Sequence, residues 1–411
     1  MTPRRLVVVP YFYPPFAGSG NRWPTLARYL REAGHSVTIV ATDAFGTLPD
    51  DAANGVLRPR DLRAVRLLRQ SLRRGGAATL DAPESAMLTR ILVPDAEVVS
   101  WLPSALYVVR RLLAREQVDC LITSGPPDST HLVGLLAGRR RPAWVADFRD
   151  GWCFEPLREP FPTLPQRSLD AALERRVAAA ADVAVGATLP IVHDLENRLG
   201  ARAAHVPNGW DPAAAPVKPY TLTAGGVRLV YTGRFSGIRG SDPRPMLRAL
   251  RQANDKAGDA KLKLLIAGPL TADDLGVIET SGASEFVEHL GVLTRDRSLA
   301  LQRASDALVL LTSHSSSEAT GKLYEYLGAG RPIVALAVGN EAERIVRETN
   351  AGVTVPPDDV DAIANAFECV ANGELTRSYR PRNLEAFTYP RPAEAMAEAI
   401  ERAIARRATQ L

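Results

Sequence analysis

Arg234 and Arg239 stand five residues apart on a glycine-containing segment that follows an apolar, strand-like run. A guanidinium binds phosphate oxygens through a planar fork, so the pair suits a pyrophosphate. Two solvated surface arginines are the plainer account of either one taken alone. The most informative stretch is Gly321-Lys322-Leu323-Tyr324-Glu325-Tyr326-Leu327-Gly328-Ala329-Gly330-Arg331-Pro332. It reads as a helix opened by Gly321 and closed by Gly330, with an anion site at its N-terminus. Lys322 and Glu325 are three apart and share a helix face. A carboxylate one turn into a phosphate-binding helix can accept two hydrogen bonds from a ribose diol. The alternative is a plain Lys–Glu surface pair.

Three further segments follow strand-like runs. Gly18-Ser19-Gly20 lies between a strand and a helix, where backbone N–H groups suit an anion. A dinucleotide fingerprint would need a third glycine where Trp23 stands, which argues against nicotinamide or flavin. Thr123-Ser124-Gly125-Pro126-Pro127 is a rigid turn. In Ala146-Asp147-Phe148-Arg149-Asp150 two carboxylates bracket one guanidinium. An aspartate there could orient a hydroxyl or act as a base; an internal Arg–Asp pair holding the loop is the structural alternative. Asp359-Val360-Asp361 precedes a helix, and capping explains it better than metal binding. The six histidines show no ligand spacing and no P-loop is present, so no metal and no cofactor are expected. Arginines at 60, 63, 66 and 69 line one side of a helix within 58–74. They offer a peripheral contact with an anionic membrane, although a solvated face fits the scarcity of bulky apolar neighbours better.

These segments need a scaffold of α/β units. The chain has 411 residues, 46% hydrophobic and 23% charged, an ordinary globular composition with material for two or three domains of roughly 150 residues. The net charge of +4 is too balanced to predict nucleic-acid binding. Three cysteines without CxxC read as reduced thiols in a cytoplasmic protein. No apolar run reaches about 18 residues. The opening run is cut by Pro10 and reads as a first strand rather than a signal peptide. Strands are expected at 6–9, 36–41, 120–123, 144–146 and 182–186, with helices between. A second series falls at 228–232, 263–267, 287–290, 307–311 and 333–336. Strand–helix alternation, twice over, predicts two parallel sheets of the doubly wound type. Ligands of such sheets bind at strand C-termini. An amphipathic helix over 393–405 closes the chain.

Taken in order, YFYPPFAGSGNRW, TSGPP, ADFRDGW, VPNGWDP, YTGRF and GKLYEYLGAGRPI resemble glycosyltransferase family 4, and the match covers most of the chain. The resemblance implies a GT-B fold. A Rossmann-like acceptor domain would span 1–208, a nucleotide-sugar domain 209–378, and a helix returning to the first domain 379–411. It implies a retaining, metal-independent transfer of sugar from a nucleoside-diphosphate donor to a hydroxyl acceptor, a glycan, a lipid-linked sugar or a small molecule. By the same resemblance Gly18 and Gly20 line the donor phosphates or the acceptor, and Asp147, Arg149 and Asp150 sit near the reacting sugar. Arg234 and Arg239 hold the pyrophosphate. Gly321, Lys322 and Leu323 add contacts at the helix N-terminus, Glu325 binds the ribose, and Gly291, Val292 and Leu293 border the base. The family commonly carries a second glutamate eight positions before the ribose one; here that position is Ser317, with Glu318 one residue late. Either could meet the donor sugar. TSGPP and ADFRDGW resemble enzymes of cell-surface polysaccharide assembly; a natural-product acceptor, a sugar-phosphate epimerase and a non-catalytic nucleotide-sugar sensor are the rival readings.

Overall fold

The computed structural model describes residues 2–16, 22–62, 91–138, 141–214, 218–222, 225–235, 241–256 and 261–410. The chain divides into two compact units: Met1–Pro207 with Pro392–Leu411, and Asn208–Arg391. Gly18, Gly20, Arg239 and most of the basic 58–74 segment lie outside the described residues.

The first unit is built on a seven-stranded parallel sheet, in the order β3-β2-β1-β4-β5-β6-β7. Its strands are β1 (Arg5–Pro10), β2 (Ser36–Val40), β3 (Val56–Leu57), β4 (Cys120–Gly125), β5 (Ala143–Phe148), β6 (Val183–Gly186) and β7 (Ala203–His205). The central strands are apolar along nearly their whole length because both faces are covered, as parallel sheets require. The covering helices are α1 (Arg22–Glu32), α2 (Glu97–Ser100), α3 (Leu102–Arg115), α4 (Ser129–Leu136), α5 (Leu164–Ala180) and α6 (Leu189–Asn197). Helix α1 buries Trp23, Leu26, Ala27 and Leu30, the expected i, i+3, i+4, i+7 stripe, and Gly34 then turns the chain with φ +93°. Gly134 of α4 must be glycine. A Cβ there would lie 2.1 Å from the Trp144 ring of β5, so its absence lets helix and sheet close up.

The second unit carries a six-stranded parallel sheet in the order β10-β9-β8-β11-β12-β13. The strands are β8 (Val227–Thr232), β9 (Leu262–Ala267), β10 (Val287–Gly291), β11 (Ala307–Leu311), β12 (Ile333–Leu336) and β13 (Gly352–Val355). Around them lie α7 (Arg244–Lys256), α8 (Ala272–Thr280), α9 (Arg295–Ala304), α10 (Gly321–Ala329), α11 (Glu341–Thr349), α12 (Val360–Ala371) and α13 (Glu374–Ser378). Asp359 caps α12 by accepting from the Ala362 N–H at 2.9 Å, so that aspartate is spent on the helix end. In each sheet the strand order reverses beside the first strand. The switch points therefore fall after β1 and β4, and after β8 and β11.

The last helix, α14 (Arg391–Gln410), belongs to the first unit from Pro392 on. Residues 379–391, expected with the returning segment, stay with the second unit. Trp210 and Tyr389 hold them there, through Trp210 N–H to Phe387 O at 2.9 Å and Tyr389 N–H to Trp210 O at 3.0 Å. Helix α14 buries Met396, Ala399, Ile400 and Ala403, and Arg4 grips Glu401 with both prongs of its fork, at 2.8 and 2.7 Å. Arg58 does not join an exposed basic face, because it pairs with Asp51 at 2.9 Å and donates to the Pro14 carbonyl. Among the described residues no helix is long and apolar enough to cross a membrane.

Candidate active site

In the first unit the sequence-predicted loop grows out of β5, where Ser124 of β4 and Asp147 of β5 are register partners. Asp147 is wholly buried and takes four hydrogen bonds. Its Oδ2 accepts from Ser124 Oγ at 2.8 Å, Trp23 Nε1 at 3.1 Å and Arg22 Nε at 3.4 Å; its Oδ1 accepts from Arg22 Nη2 at 3.1 Å. A carboxylate so engaged is an anchor and does not serve as the base that the sequence suggested. Arg149 and Asp150 follow it at the strand end, both half-buried. Burial works against the Arg149 charge, and the carboxylates of Asp150 and Asp147 beside it work for it. The structure thus brings Asp147, Arg149 and Asp150 together at the end of β5. The loop beyond is strapped to α5: Trp152 Nε1 donates to Asp170 at 2.8 Å, the Cys153 N–H to Glu174 at 3.0 Å, and Arg158 to Asp170 at 2.6 Å.

Two residues of this unit went unread in the sequence. Arg22 is 6% exposed and also donates to the carbonyls of Val206 and Pro207, at 2.9 and 3.1 Å. His131, fully buried at the start of α4, shares a 2.9 Å hydrogen bond through Nδ1 with Thr123 Oγ1, which itself accepts from Trp144 Nε1 at 2.9 Å. The ring stacks on Phe148 with centroids 4.5 Å apart, and burial pulls its pKa down to about 4, so it stays neutral. Only the TSGPP turn ahead of it pointed that way.

In the second unit Arg234, Ser317, Glu318, Gly321 and Lys322 follow β8 and β11 at the switch point, whereas Gly291, Val292 and Leu293 follow the edge strand β10. Gly233 leaves β8 with φ +93°, a backbone shape that favours glycine. Tyr231 Oη donates to the Arg234 carbonyl at 2.6 Å and accepts from Lys322 Nζ at 2.7 Å. Lys322 therefore turns inward beneath the 233–234 loop and does not pair with Glu325 on the surface. Burial pulls its ammonium down to about 8 against the opposing pull of Glu318 and Glu325. Gly321, exposed, begins α10, whose N-terminus no side chain caps. Leu323 departs from expectation: its side chain is fully buried in the core and its N–H is bonded to Thr320 O at 3.0 Å, so it does not face a donor.

Glu318 and Ser317 are both buried. One oxygen of Glu318 accepts from the Ser313 N–H at 2.8 Å and from the Ser313 hydroxyl, which ties the loop after β11 to the start of α10. Glu325 accepts from Arg295 Nη2 at 3.2 Å and Gln302 Nε2 at 3.4 Å, and Gln302 reaches Thr232 Oγ1 at 3.2 Å. Arg295 and Gln302, both on α9, were missed because nothing in their spacing marks them. A small hollow of about 20 Å³ opens beside them, lined by Trp210, Arg295, Gln302, Glu325 and Gly328 among others. After β10, Gly291 turns with φ +69°, Val292 is exposed and Leu293 packs against the core.

This geometry can hold an anion by a half-buried amine, an arginine loop and a helix N-terminus, with a carboxylate one turn further on. Comparison with family models matches residues 17–209 to "Glycosyl transferase 4-like domain" and residues 226–372 to "Glycosyl transferases group 1". Comparison with curated proteins finds no match. Among solved structures the chain is similar to sucrose-phosphate synthase from Thermosynechococcus elongatus, at 16% identity, 98% and 99% coverage of the two chains and a TM-score of 0.64. It is similar to the lipopolysaccharide outer core galactosyltransferase WaaB, at 14% identity, 97% and 99% coverage and a TM-score of 0.58. It is also similar to S. aureus MnaA in its UDP co-structure, at 13% identity, 97% and 96% coverage and a TM-score of 0.57. At such identities these likenesses speak to the fold, which is GT-B. The two family models cover one unit each and between them most of the sequence, and on that ground the chain belongs to the GT4-like glycosyltransferases.

Proposed function

We propose that this glycosyltransferase is retaining and metal-independent, and that it moves a sugar from a nucleoside-diphosphate donor to a hydroxyl acceptor in cell-surface polysaccharide or glycoconjugate assembly. The observation that carries the reading is the half-buried Lys322 ammonium, held by Tyr231 under the Gly233–Arg234 loop at the uncapped N-terminus of α10. As the glycosidic bond breaks, the leaving diphosphate gains negative charge. Lys322, Arg234 and the first N–H groups of α10 are cations and dipoles fixed in advance where that charge develops. They supply the stabilisation that a divalent ion gives elsewhere. Glu325, oriented by Arg295 and Gln302, accepts hydrogen bonds from the ribose. In this reading the first unit serves the acceptor, with Arg149 and Asp150 nearest the reacting hydroxyl. Attack on the face the diphosphate leaves, with a donor phosphate oxygen taking the acceptor proton, gives retention without a protein nucleophile.

The test is a binding panel of UDP, GDP, ADP and dTDP by thermal shift and calorimetry, followed by product analysis with the matching sugar nucleotides. A ligand at 100 times its dissociation constant stabilises the folded state by about 2.7 kcal/mol, an easily read shift. Binding of none of the four, or an inverted anomeric product, refutes the proposal.

A further inference from the structure

We propose that Arg22 and Asp147 are positioning residues for sugar transfer. Their buried ion pair fixes, against the ends of β4 and β5, the two residues by which the chain leaves the first unit. The inference rests on the reading of that unit as the acceptor half. Arg22 spreads its fork over two kinds of partner: Nε and Nη2 go to Asp147, while Nη1 and Nη2 go to the carbonyls of Pro207 and Val206. Asp147 in turn collects Ser124 of β4 and Trp23 of α1. One pair thus joins four stretches of chain. The TSGPP turn continues from Ser124, Arg149 and Asp150 follow Asp147 by two and three residues, and Asn208 to Trp210 follow Pro207.

Such a cluster is a poor device for mere cohesion. Both side chains are almost wholly out of water, at 3% and 0% exposure. Apolar residues of like volume generally hold a core as well as a buried pair does. What an apolar pair lacks is direction. The guanidinium plane dictates where two carbonyls lie relative to a carboxylate, and a lysine cannot reproduce that fork. Small displacements of reacting groups, of the order of 1 Å, lower rates about 100-fold.

The experiment uses the full chain and compares wild type with Arg22→Lys, Asp147→Asn and the double variant Arg22→Met/Asp147→Asn. Four quantities are read: urea stability, calorimetric affinity for whichever of UDP, GDP, ADP and dTDP the wild type binds best, turnover of the matching sugar nucleotide as diphosphate release, and hydrogen exchange in the peptide 203–210. Asp147→Asn should lose stability, because the buried Arg22 charge is left without its counter-ion. The double variant should regain stability and keep nucleotide affinity within about twofold, since that site lies on the other unit. Its turnover should stay down about 100-fold, and 203–210 should exchange at least tenfold faster than in the wild type. Recovery of turnover together with stability makes the pair structural only and overturns the proposal. So does a fall in nucleotide affinity that accounts for the lost rate. If the wild type binds none of the four nucleotides, the donor reading has failed on its own. Unchanged exchange at 203–210 in the stable double variant then overturns the positioning role independently.

Discussion

If Lys322 holds the donor diphosphate as proposed, donor binding depends on pH in a window where little else titrates. Burial brings its ammonium down to about 8. Between pH 7 and pH 9 its protonated fraction falls from about nine-tenths to about one-tenth. If only the ammonium form holds the diphosphate, affinity falls about tenfold across that interval. The groups that face the amine do not mask the effect. The Tyr231 hydroxyl is pushed up by burial and stays protonated. The terminal phosphate, with its second ionisation near pH 6, is already a dianion. Folding linkage runs the other way. The folded-state value lies below the unfolded one, so from about pH 8 up to 10.5 this group favours the folded state increasingly as pH rises, and weaker binding at pH 9 is not unfolding through Lys322. Calorimetry of UDP binding at pH 7, 8 and 9, in buffers of different ionisation enthalpy, reads both the slope and the proton taken up. Lys322→Met should bind more weakly at pH 7 and show no slope. A flat wild-type profile, or the same slope in Lys322→Met, refutes the placement of this amine on the phosphates.

Glu325→Gln removes charge-assisted bonds worth roughly 1.5–3 kcal/mol, so nucleotide affinity should drop about 10- to 100-fold with the fold intact. A 2′-deoxy nucleotide should lose affinity with the wild type and little more with the variant; equal titrations of wild type and Glu325→Gln reject the ribose assignment. Gly328→Ala should cost about 1–3 kcal/mol in urea, because the new Cβ would lie 2.3 Å from the Trp210 ring, and an unchanged midpoint contradicts that packing. Deleting residues 392–411 strips Met396 and Ile400 from the first unit, each worth roughly 1.5–3 kcal/mol of burial, so soluble protein should be lost; a soluble, active truncation shows that α14 is dispensable. Turnover should survive EDTA, and a strict requirement for Mg²⁺ or Mn²⁺ removes the metal-free mechanism.

The sequence disclosed the strands that are buried on both faces. VVV, AWVADF and ALVLL are too apolar and too short to be anything but central parallel strands. The edge strands β3, β7 and β13 escaped, since two to four residues with mixed exposure carry no period; the open edge of the neighbouring strand decides them. At the site, the helix 321–329 was legible from Gly321 and Gly330, but not the separation of Lys322 from Glu325. Their shared helix face suggested a pair, yet the amine turns under Gly233 to Tyr231 while Arg295 takes the carboxylate. Arg22 could not be read at all. Its partners lie 125, 184 and 185 positions away, and only the folded sheet brings them within hydrogen-bonding reach.

Trp210 and Thr388 form an isolated parallel bridge, and the indole N–H reaches the Thr388 hydroxyl at 2.9 Å. The second unit begins at Asn208 and ends at Arg391, so this bridge clasps its incoming and outgoing strands within three residues of either end. Topologically the unit is an insertion whose two ends are already closed upon each other. Exchanging it for the homologous insert of another enzyme requires no long splice, only two cuts outside the clasp. On the proposed reading, donor preference in such a lineage can then change by replacing one cassette, while the first unit keeps its sequence.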